Sequence, residues 1–243
     1  MRIAPALPPL AGLAPGVIEA ALTPAPYLQR LARLRPDTLR AITQHGPQAV
    51  ADAAIAAAQA ATTGDLAAAM AGLRRAKQDV HLALALGDLS GVLDLEAVTG
   101  GLSAFADAAL ASALVAAAAD MRLRGRLPPL ADDANGPVPG FFLVAMGKYG
   151  AGELNYSSDV DITAFFDRDR IDPAWEDRAG RAFVDLVRLV ARLFEEVTAD
   201  GYVFRVDLRL RPDPGSTQPA VSVLAAETYY EAFGQTRERA ALI

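Results

Sequence analysis

The sequence contains no cysteine, and only two of its 243 residues, His45 and His81, are histidines. The lack of cysteine excludes disulfides, zinc–thiolate sites, iron–sulfur clusters and thiol catalysis, and it is typical of a protein from a reducing compartment. Two histidines are too few for a histidine-rich metal site. Basic residues are also outnumbered, with 23 Lys and Arg against 29 Asp and Glu, a net charge of −6. Generic DNA or RNA binding is therefore not expected, because no basic excess is present to neutralise a phosphate backbone.

Long apolar runs are missing as well. Prolines interrupt the first 16 residues, so this segment does not resemble a secretion signal. The uncharged stretch 108–119 is shorter than the roughly 20 apolar residues that a membrane span needs. With 52% apolar and 21% charged residues, the composition is globular. We expect a cytoplasmic protein with no membrane partner.

The first half of the chain is rich in alanine and leucine, which favour helices. We expect about five helices between residues 17 and 125. Pro26 and Pro36 fit first helical turns, and the following glycines are predicted to interrupt helices: Gly64, Gly87 to Gly91, Gly100 and Gly101. Residues 1–130 are thus predicted to form a helical region, followed by a Pro-, Gly- and Asp-rich linker at 131–140.

The second half, 141–243, is predicted to form a separate domain with a small sheet. Three strands are expected, at 141–146, 159–166 and 202–211, because these segments are apolar, β-branched or alternating. A glycine-containing loop at 147–158 separates the first two. Asp172 and Pro173 open a helix that is expected to end at Gly201, with an apolar stripe of Phe183, Val187, Val190, Phe194 and Val197. Residues 224–243 are predicted to be helical, and their uncapped end suggests a fragment of a longer chain.

The chemistry of this second half centres on carboxylates. Asp159 and Asp161 are two residues apart on a predicted strand, so both side chains leave the same face. The polar face of the third predicted strand adds one carboxylate and three guanidinium groups: Asp207, Arg205, Arg209 and Arg211. Carboxylates bind Mg²⁺, and arginines bind phosphate oxygens. The combination indicates a phosphoryl- or nucleotidyl-transfer site, although an Asp-x-Asp pair alone is more often solvated surface.

The order of these motifs resembles the nucleotidyltransferase superfamily that includes DNA polymerase β. That pattern is an apolar strand, a glycine, an acid-x-acid pair and a later lone acid, here Gly147-Lys148, Asp159-x-Asp161 and Asp207. More narrowly, MGKYGAGELNYSSDVDI and YVFRVDLRLRPDPG resemble the glutamine synthetase adenylyltransferase and adenylyl-removing family. The segment 73–91 and the tail from residue 225 look like the first, deadenylylating half of that family. The resemblance implies an α+β fold in which a helical region precedes a DNA polymerase β-like domain with a small mixed sheet.

The resemblance also implies roles for single residues. It makes Asp159, Asp161 and Asp207 the catalytic, metal-binding acids. Other acidic residues are plentiful, and Asp213 is the nearest substitute for the third. The positions implied to contact nucleotide or phosphate are Gly147, Lys148, Ser158, Arg209 and Arg211. Departures from the family pattern are Tyr149, Ala151 and Arg237, and none of them removes a carboxylate.

The implied reaction is Mg²⁺-dependent phosphorolysis, in which phosphate removes AMP from a modified tyrosine of glutamine synthetase and yields ADP. Glutamine synthetase, an adenine nucleotide, phosphate and a PII-type signalling protein are the implied partners. Two alternatives stay open. One is a non-catalytic nucleotide- or metal-binding regulatory module. The other, less favoured, is a phosphatase of the haloacid dehalogenase type, because Asp159-Val-Asp161-Ile-Thr163 fits its Asp-x-Asp-x-Thr motif.

Overall fold

The described residues of the N-terminal part of the chain form a bundle of six helices. The computed structural model describes residues 13–60, 65–130 and 136–234. The helices are α1 (Pro15–Leu22), α2 (Pro26–Leu34), α3 (Pro36–His45), α4 (Pro47–Ala60), α5 (Leu66–Leu89) and α6 (Leu95–Leu123). Each of the first four begins at a proline, whose fixed φ suits a first helical position and whose missing N–H would be unpaired there anyway. The roles predicted for Pro26 and Pro36 are confirmed.

The expected glycine breaks inside this bundle are mostly wrong. Gly87 lies within α5, and Gly100 and Gly101 lie within α6. A Cβ at Gly87 would come within 2.4 Å of the Leu93 side chain, and one at Gly101 within 3.0 Å of Leu84. These two glycines therefore permit close packing instead of ending a helix. Gly91, with φ of 70°, does follow the end of α5, whereas Gly64 lies outside the described residues.

The sheet has four described strands, β1 (Phe141–Ala145), β2 (Val160–Phe166), β3 (Val206–Asp207) and β4 (Ala220–Ser222). β1 pairs antiparallel with β2, whereas β3 and β4 pair parallel with opposite ends of β2. The remaining helices are α7 (Gly147–Gly150), α8 (Glu176–Glu195) and α9 (Val223–Ala232). The expected α+β class, with a helical region before a small mixed sheet, is confirmed.

The third strand is much shorter than the predicted 202–211. Val203 and Phe204 are both buried, which breaks the expected alternation, and Val203 N donates to Phe194 O at the end of α8 (2.8 Å). After Asp207 the chain turns away, because the backbone N of Arg209 donates to the Asp207 carboxylate. Only Val206 and Asp207 therefore form a strand here.

The two predicted helices of the second half also differ in their ends. A single turn of 3-10 helix, Pro173–Trp175, leads into α8, which ends at Glu195 instead of Gly201. Four members of the predicted stripe are buried, but Val197 lies beyond the helix and is 76% exposed. The final helix spans Val223–Ala232, and the predicted part of it at 235–243 lies outside the described residues.

Helices and sheet share one apolar core. The ring of Phe204, just before β3, packs against Phe105 of α6 and Phe194 of α8, with centroids 5.7 and 6.2 Å apart. All three are almost fully buried. The division into domains at 1–130 and 141–243 stays a prediction, and residues 131–135 of the predicted linker lie outside the described residues.

α6 is the central helix of this core. It is 29 residues long with a mean hydropathy of 1.7 in its most apolar window, so by length and composition alone it could cross a membrane. It passes this test although stretch 108–119 does not, because the helix continues past Asp107 and Asp120. Within the protein, 67% of that window is buried, as is usual for a core helix.

Candidate active site

Sheet pairing brings the predicted acids together. β2 and β3 run parallel with Val160 opposite Val206 and Asp161 opposite Asp207. Asp159 directly precedes β2, and its two-residue spacing from Asp161 puts both side chains on the same face. Two residues from one strand and one from its neighbour therefore form a row of carboxylates at the start of β2.

Arginines neutralise the two outer acids. Arg205 Nε donates to Asp159 Oδ1 at 2.5 Å, and its Nη2 donates to Ser157 O at 2.8 Å. Arg209 donates hydrogen bonds to the Asp207 carboxylate from its backbone N (2.8 Å), Nε (2.9 Å) and Nη2 (2.5 Å). These hydrogen bonds lower the pKa of Asp207, against the opposing effect of burial.

Asp161, in the middle of the row, has the opposite electrostatic environment. Partial burial and the neighbouring carboxylates of Asp207 and Asp159 raise its pKa, and Arg209 only partly offsets them. A raised carboxyl pKa means that the charged form is disfavoured, and a nearby cation would relieve that repulsion.

The donor set fits Mg²⁺ in chemistry and strand position, but not yet in side-chain arrangement. Carboxylate oxygens are the ligands that Mg²⁺ prefers. Among residues 13–60, 65–130 and 136–234, however, no three Asp, Glu or His side chains are grouped closely enough to hold a metal ion. In this state Asp159 pairs with Arg205, and Asp207 pairs with Arg209. Metal binding at this row would therefore compete with these ion pairs.

Gly147 brings backbone against the central acid. It follows β1, begins the one-turn helix α7 and has φ of 55°, which side chains rarely tolerate. A Cβ at Gly147 would lie 3.2 Å from Asp161 Oδ2. The preceding residue, Met146, donates its backbone N–H to Asp161 O at 2.9 Å. The predicted loop 147–158 thus begins with a helical turn fixed beside the carboxylates.

The same turn is tied to the helical bundle. Tyr149, one of the departures from the family pattern, is buried and donates its hydroxyl to Asp107 Oδ1 of α6 at 2.6 Å. Lys148 is exposed on α7. Its predicted contact with phosphate stays a prediction.

Ser158 and Arg211 are engaged in local structure. Ser158 Oγ accepts a hydrogen bond from Asn155 N at 3.2 Å, which shapes the turn before β2. Arg211 donates to backbone carbonyls of the loop after β3: Leu208 O at 2.6 Å, Pro214 O at 2.8 Å and Thr217 O at 3.2 Å. Asp213, the alternative third acid, lies inside that loop with φ of 41°. The roles predicted for Ser158 and Arg211 stay predictions.

The sequence reasoning placed Arg205 on the polar strand face but did not include it in the site. The strand register identifies Arg205 as a site residue. Extending the Asp161–Asp207 pairing by two residues toward the N-terminus places Arg205 opposite Asp159. Val160 N donates to Arg205 O at 2.9 Å, which continues the pairing before β3 begins.

Comparisons with known proteins give a consistent result. Residues 17–243 match the model of the glutamate-ammonia ligase adenylyltransferase family. The bifunctional glutamine synthetase adenylyltransferase/adenylyl-removing enzyme of Caulobacter vibrioides is 46% identical over 241 residues, covering 96% of this chain and 24% of the relative. The enzymes of the same name from Xanthobacter autotrophicus and Rhizobium meliloti are 46% and 42% identical, covering 90% and 93% of this chain and 22% and 24% of theirs. The chain thus spans about a quarter of the length of these curated relatives.

Proposed function

Because the chain belongs to the glutamate-ammonia ligase adenylyltransferase family, we propose that it removes AMP from an adenylylated tyrosine of glutamine synthetase by phosphorolysis. The observation that carries the proposal is the row of Asp159, Asp161 and Asp207, aligned by the pairing of β2 with β3. The relatives' name covers both adding and removing adenylyl groups. The removal reaction is favoured by the resemblance of segment 73–91 and of the tail from residue 225 to the deadenylylating half of the family.

The proposed reaction balances without a redox partner. An oxygen of inorganic phosphate forms a bond to the adenylyl phosphorus, and the bond from that phosphorus to the tyrosine oxygen breaks. The products are ADP and the unmodified tyrosine, whose oxygen takes up a proton. The protein would have to hold two anionic groups, the phosphate and the adenylyl phosphate, next to its own carboxylates.

The carboxylate row would hold Mg²⁺, which when bound supplies positive charge for the phosphoryl oxygens. Release of Arg205 and Arg209 from their aspartates would make two guanidinium groups available, and arginine is suited to bidentate binding of phosphate oxygens. The Gly147 backbone, which lies next to Asp161 without a side chain between them, leaves room for an adenylyl oxygen. The acids would then bind the cation, and the arginines would bind the anions.

The proposed partners are glutamine synthetase as the protein substrate, an adenine nucleotide and phosphate. A PII-type protein as regulator and a cytoplasmic location are part of the same proposal, and both derive from the family resemblance.

The test is ADP formation from adenylylated glutamine synthetase, phosphate and Mg²⁺. We expect ADP with the unaltered chain and none with Asp161→Asn, which keeps the shape of the side chain but removes its charge. Asp185→Asn is a matched control, because Asp185 is an acid of α8 that pairs with Arg126. Equal ADP formation by the Asp161 variant would contradict the proposal.

The two alternatives predict other results. A regulatory module would bind nucleotide with Mg²⁺ but form no ADP. A phosphatase of the Asp-x-Asp-x-Thr type would form a covalent phosphate on Asp159. That motif normally follows an apolar strand, whereas Asp159 here precedes β2, which favours phosphorolysis over this alternative.

A further inference from the structure

A cavity of about 530 Å³ lies between α2, α5 and the loops that lead into β2 and β3. Its volume is in the range of small-molecule sites. Aromatic and polar residues from four separate segments line it, among them Tyr27, Lys77, His81, Tyr156, Ser157 and Tyr202. Leu28 and Leu31 of α2 add apolar lining.

The cavity adjoins the carboxylate row. Ser157 lines it, and the Ser157 carbonyl accepts a hydrogen bond from Arg205, whose Nε pairs with Asp159. A single arginine therefore contacts both the cavity wall and the first acid of the candidate active site. A ligand with a phosphate near Asp159 could extend its other end into this space.

Aromatic rings form much of the wall. His81 lies between Tyr27 and Tyr156, with ring centroids 6.2 and 5.7 Å away and both rings nearly perpendicular to the imidazole. Tyr202, on the loop before β3, has the ammonium of Lys77 4.2 Å from its ring centroid. Such a wall suits a planar ring, because aromatic side chains stack on nucleobases with little dependence on sequence.

The lining residues His81 and Lys77 have unused hydrogen-bonding capacity. His81 is only 2% exposed, and its Nε2 has no hydrogen-bond partner among the described residues. Its Nδ1 contacts the Tyr27 hydroxyl at 3.2 Å. Burial keeps this imidazole neutral by lowering its pKa to about 3. Buried polar atoms are normally paired, so His81 retains a hydrogen-bonding position that no described residue fills.

Lys77 adds a second donor. Its Nζ has three hydrogens and makes one described hydrogen bond, to Tyr202 O at 3.2 Å. Burial and the nearby Arg205 lower its pKa to about 8. A ligand group here must therefore accept hydrogen bonds while lying among aromatic rings, which describes a nitrogen heterocycle better than a phenyl ring.

We propose that this cavity binds the adenine ring of the nucleotide, with Tyr27 and Tyr156 beside the ring and Lys77 Nζ facing its nitrogens. The proposal rests on the proposed function for the choice of adenine among the bases. It assigns the helical half of the chain a direct part in recognition, since Tyr27, Lys77 and His81 all belong to α2 and α5.

Adenosine is the probe that tests this, because it has no phosphate and needs neither Mg²⁺ nor the carboxylates. Calorimetric titration should show saturable adenosine binding to the unaltered chain, weakened about tenfold by Tyr27→Leu, as expected for loss of one stacking ring. Tyr27 is half exposed, so its replacement should leave the fold intact. Phe142→Leu is the matched control, because Phe142 is a similarly exposed aromatic on β1 away from the cavity.

Two further titrations separate the outcomes. The variant Asp161→Asn should bind adenosine as the unaltered chain does, so this result is independent of whether ADP is formed. N-acetyl-tyrosinamide presents the ring of the modified tyrosine, and it should not compete with adenosine. Adenosine affinity equal in Tyr27→Leu and Phe142→Leu, absence of adenosine binding, or displacement by N-acetyl-tyrosinamide would each overturn the proposal.

Discussion

Replacing Arg74 with methionine should lower the free energy of unfolding by about 3 kcal/mol. Arg74 of α5 is fully buried, and it donates to Leu193 O (3.1 Å), Gly201 O (2.8 Å) and Glu196 O. The three carbonyls lie at the end of α8 and in the loop after it. One guanidinium group therefore joins the helical bundle to the segment that leads into β3.

The size of this loss follows from the backbone carbonyls that the substitution leaves without a donor. Hydrogen bonds to a charged group contribute about 1.5 to 3 kcal/mol each, and a buried carbonyl left without its donor costs about 1 to 3 kcal/mol. Against this, the variant no longer buries a guanidinium group, whose burial is costly enough to lower its pKa. About 3 kcal/mol is the expected balance, and Arg74→Lys should lose less because it keeps the charge.

The assay is urea unfolding followed by circular dichroism and by the fluorescence of Trp175. Arg75→Met is the matched control, since Arg75 is the next residue and is exposed. Its free energy of unfolding should change by no more than ordinary surface substitutions produce, about 0.5 kcal/mol. If Arg74→Met and Arg75→Met unfold at the same urea concentration, the argument that Arg74 holds the two parts together is refuted.

Three other predictions concern single positions. His81→Leu should remove a pH dependence of stability. The folded pKa of His81, about 3, is below its unfolded value of 6.5, so this residue should lower the free energy of unfolding by about 2 kcal/mol between pH 7 and pH 5. Thermal unfolding at both pH values should show no such loss in the variant. Gly147→Ala should destabilise the fold by about 1 kcal/mol because the backbone at this position has a positive φ. It should also raise the Mg²⁺ concentration needed for activity, since the added Cβ would lie 3.2 Å from Asp161 Oδ2. An unchanged Mg²⁺ titration would contradict this. Gly150→Ala should cost about 1 to 3 kcal/mol in urea unfolding, because its Cβ would lie 2.7 Å from Ala145 O, and a neutral effect would show that α7 shifts freely.

Local sequence patterns predicted much of the fold. Helix-starting prolines at Pro26 and Pro36 and the apolar strands at 141–146 and 159–166 are visible without tertiary information, because each depends on neighbouring residues only. The helical glycines could not be judged in this way. Whether Gly87 breaks a helix or permits close packing depends on Leu93, which is brought against it by the turn after α5.

The candidate site shows the same limit. The acid-x-acid pair and the lone Asp207 could be predicted from the sequence, because motif order and strand alternation are sequence properties. The alternation of apolar and polar residues at 202–211 nevertheless predicted a strand that is far too long. The hydrogen bond from Val203 to Phe194 O and the turn at Arg209 decide how much of that segment reaches the sheet. The ion pairs of Arg205 and Arg209 likewise depend on the register, which no local pattern specifies.

The most direct test of the central claim is the fate of isotopically labelled phosphate. Adenylylated glutamine synthetase, Mg²⁺ and radiolabelled inorganic phosphate would be incubated with the chain, and the nucleotide product separated. Phosphorolysis at the carboxylate row predicts ADP with the label in its β-phosphate. Unlabelled AMP as the product would show hydrolysis instead and would contradict the proposed function.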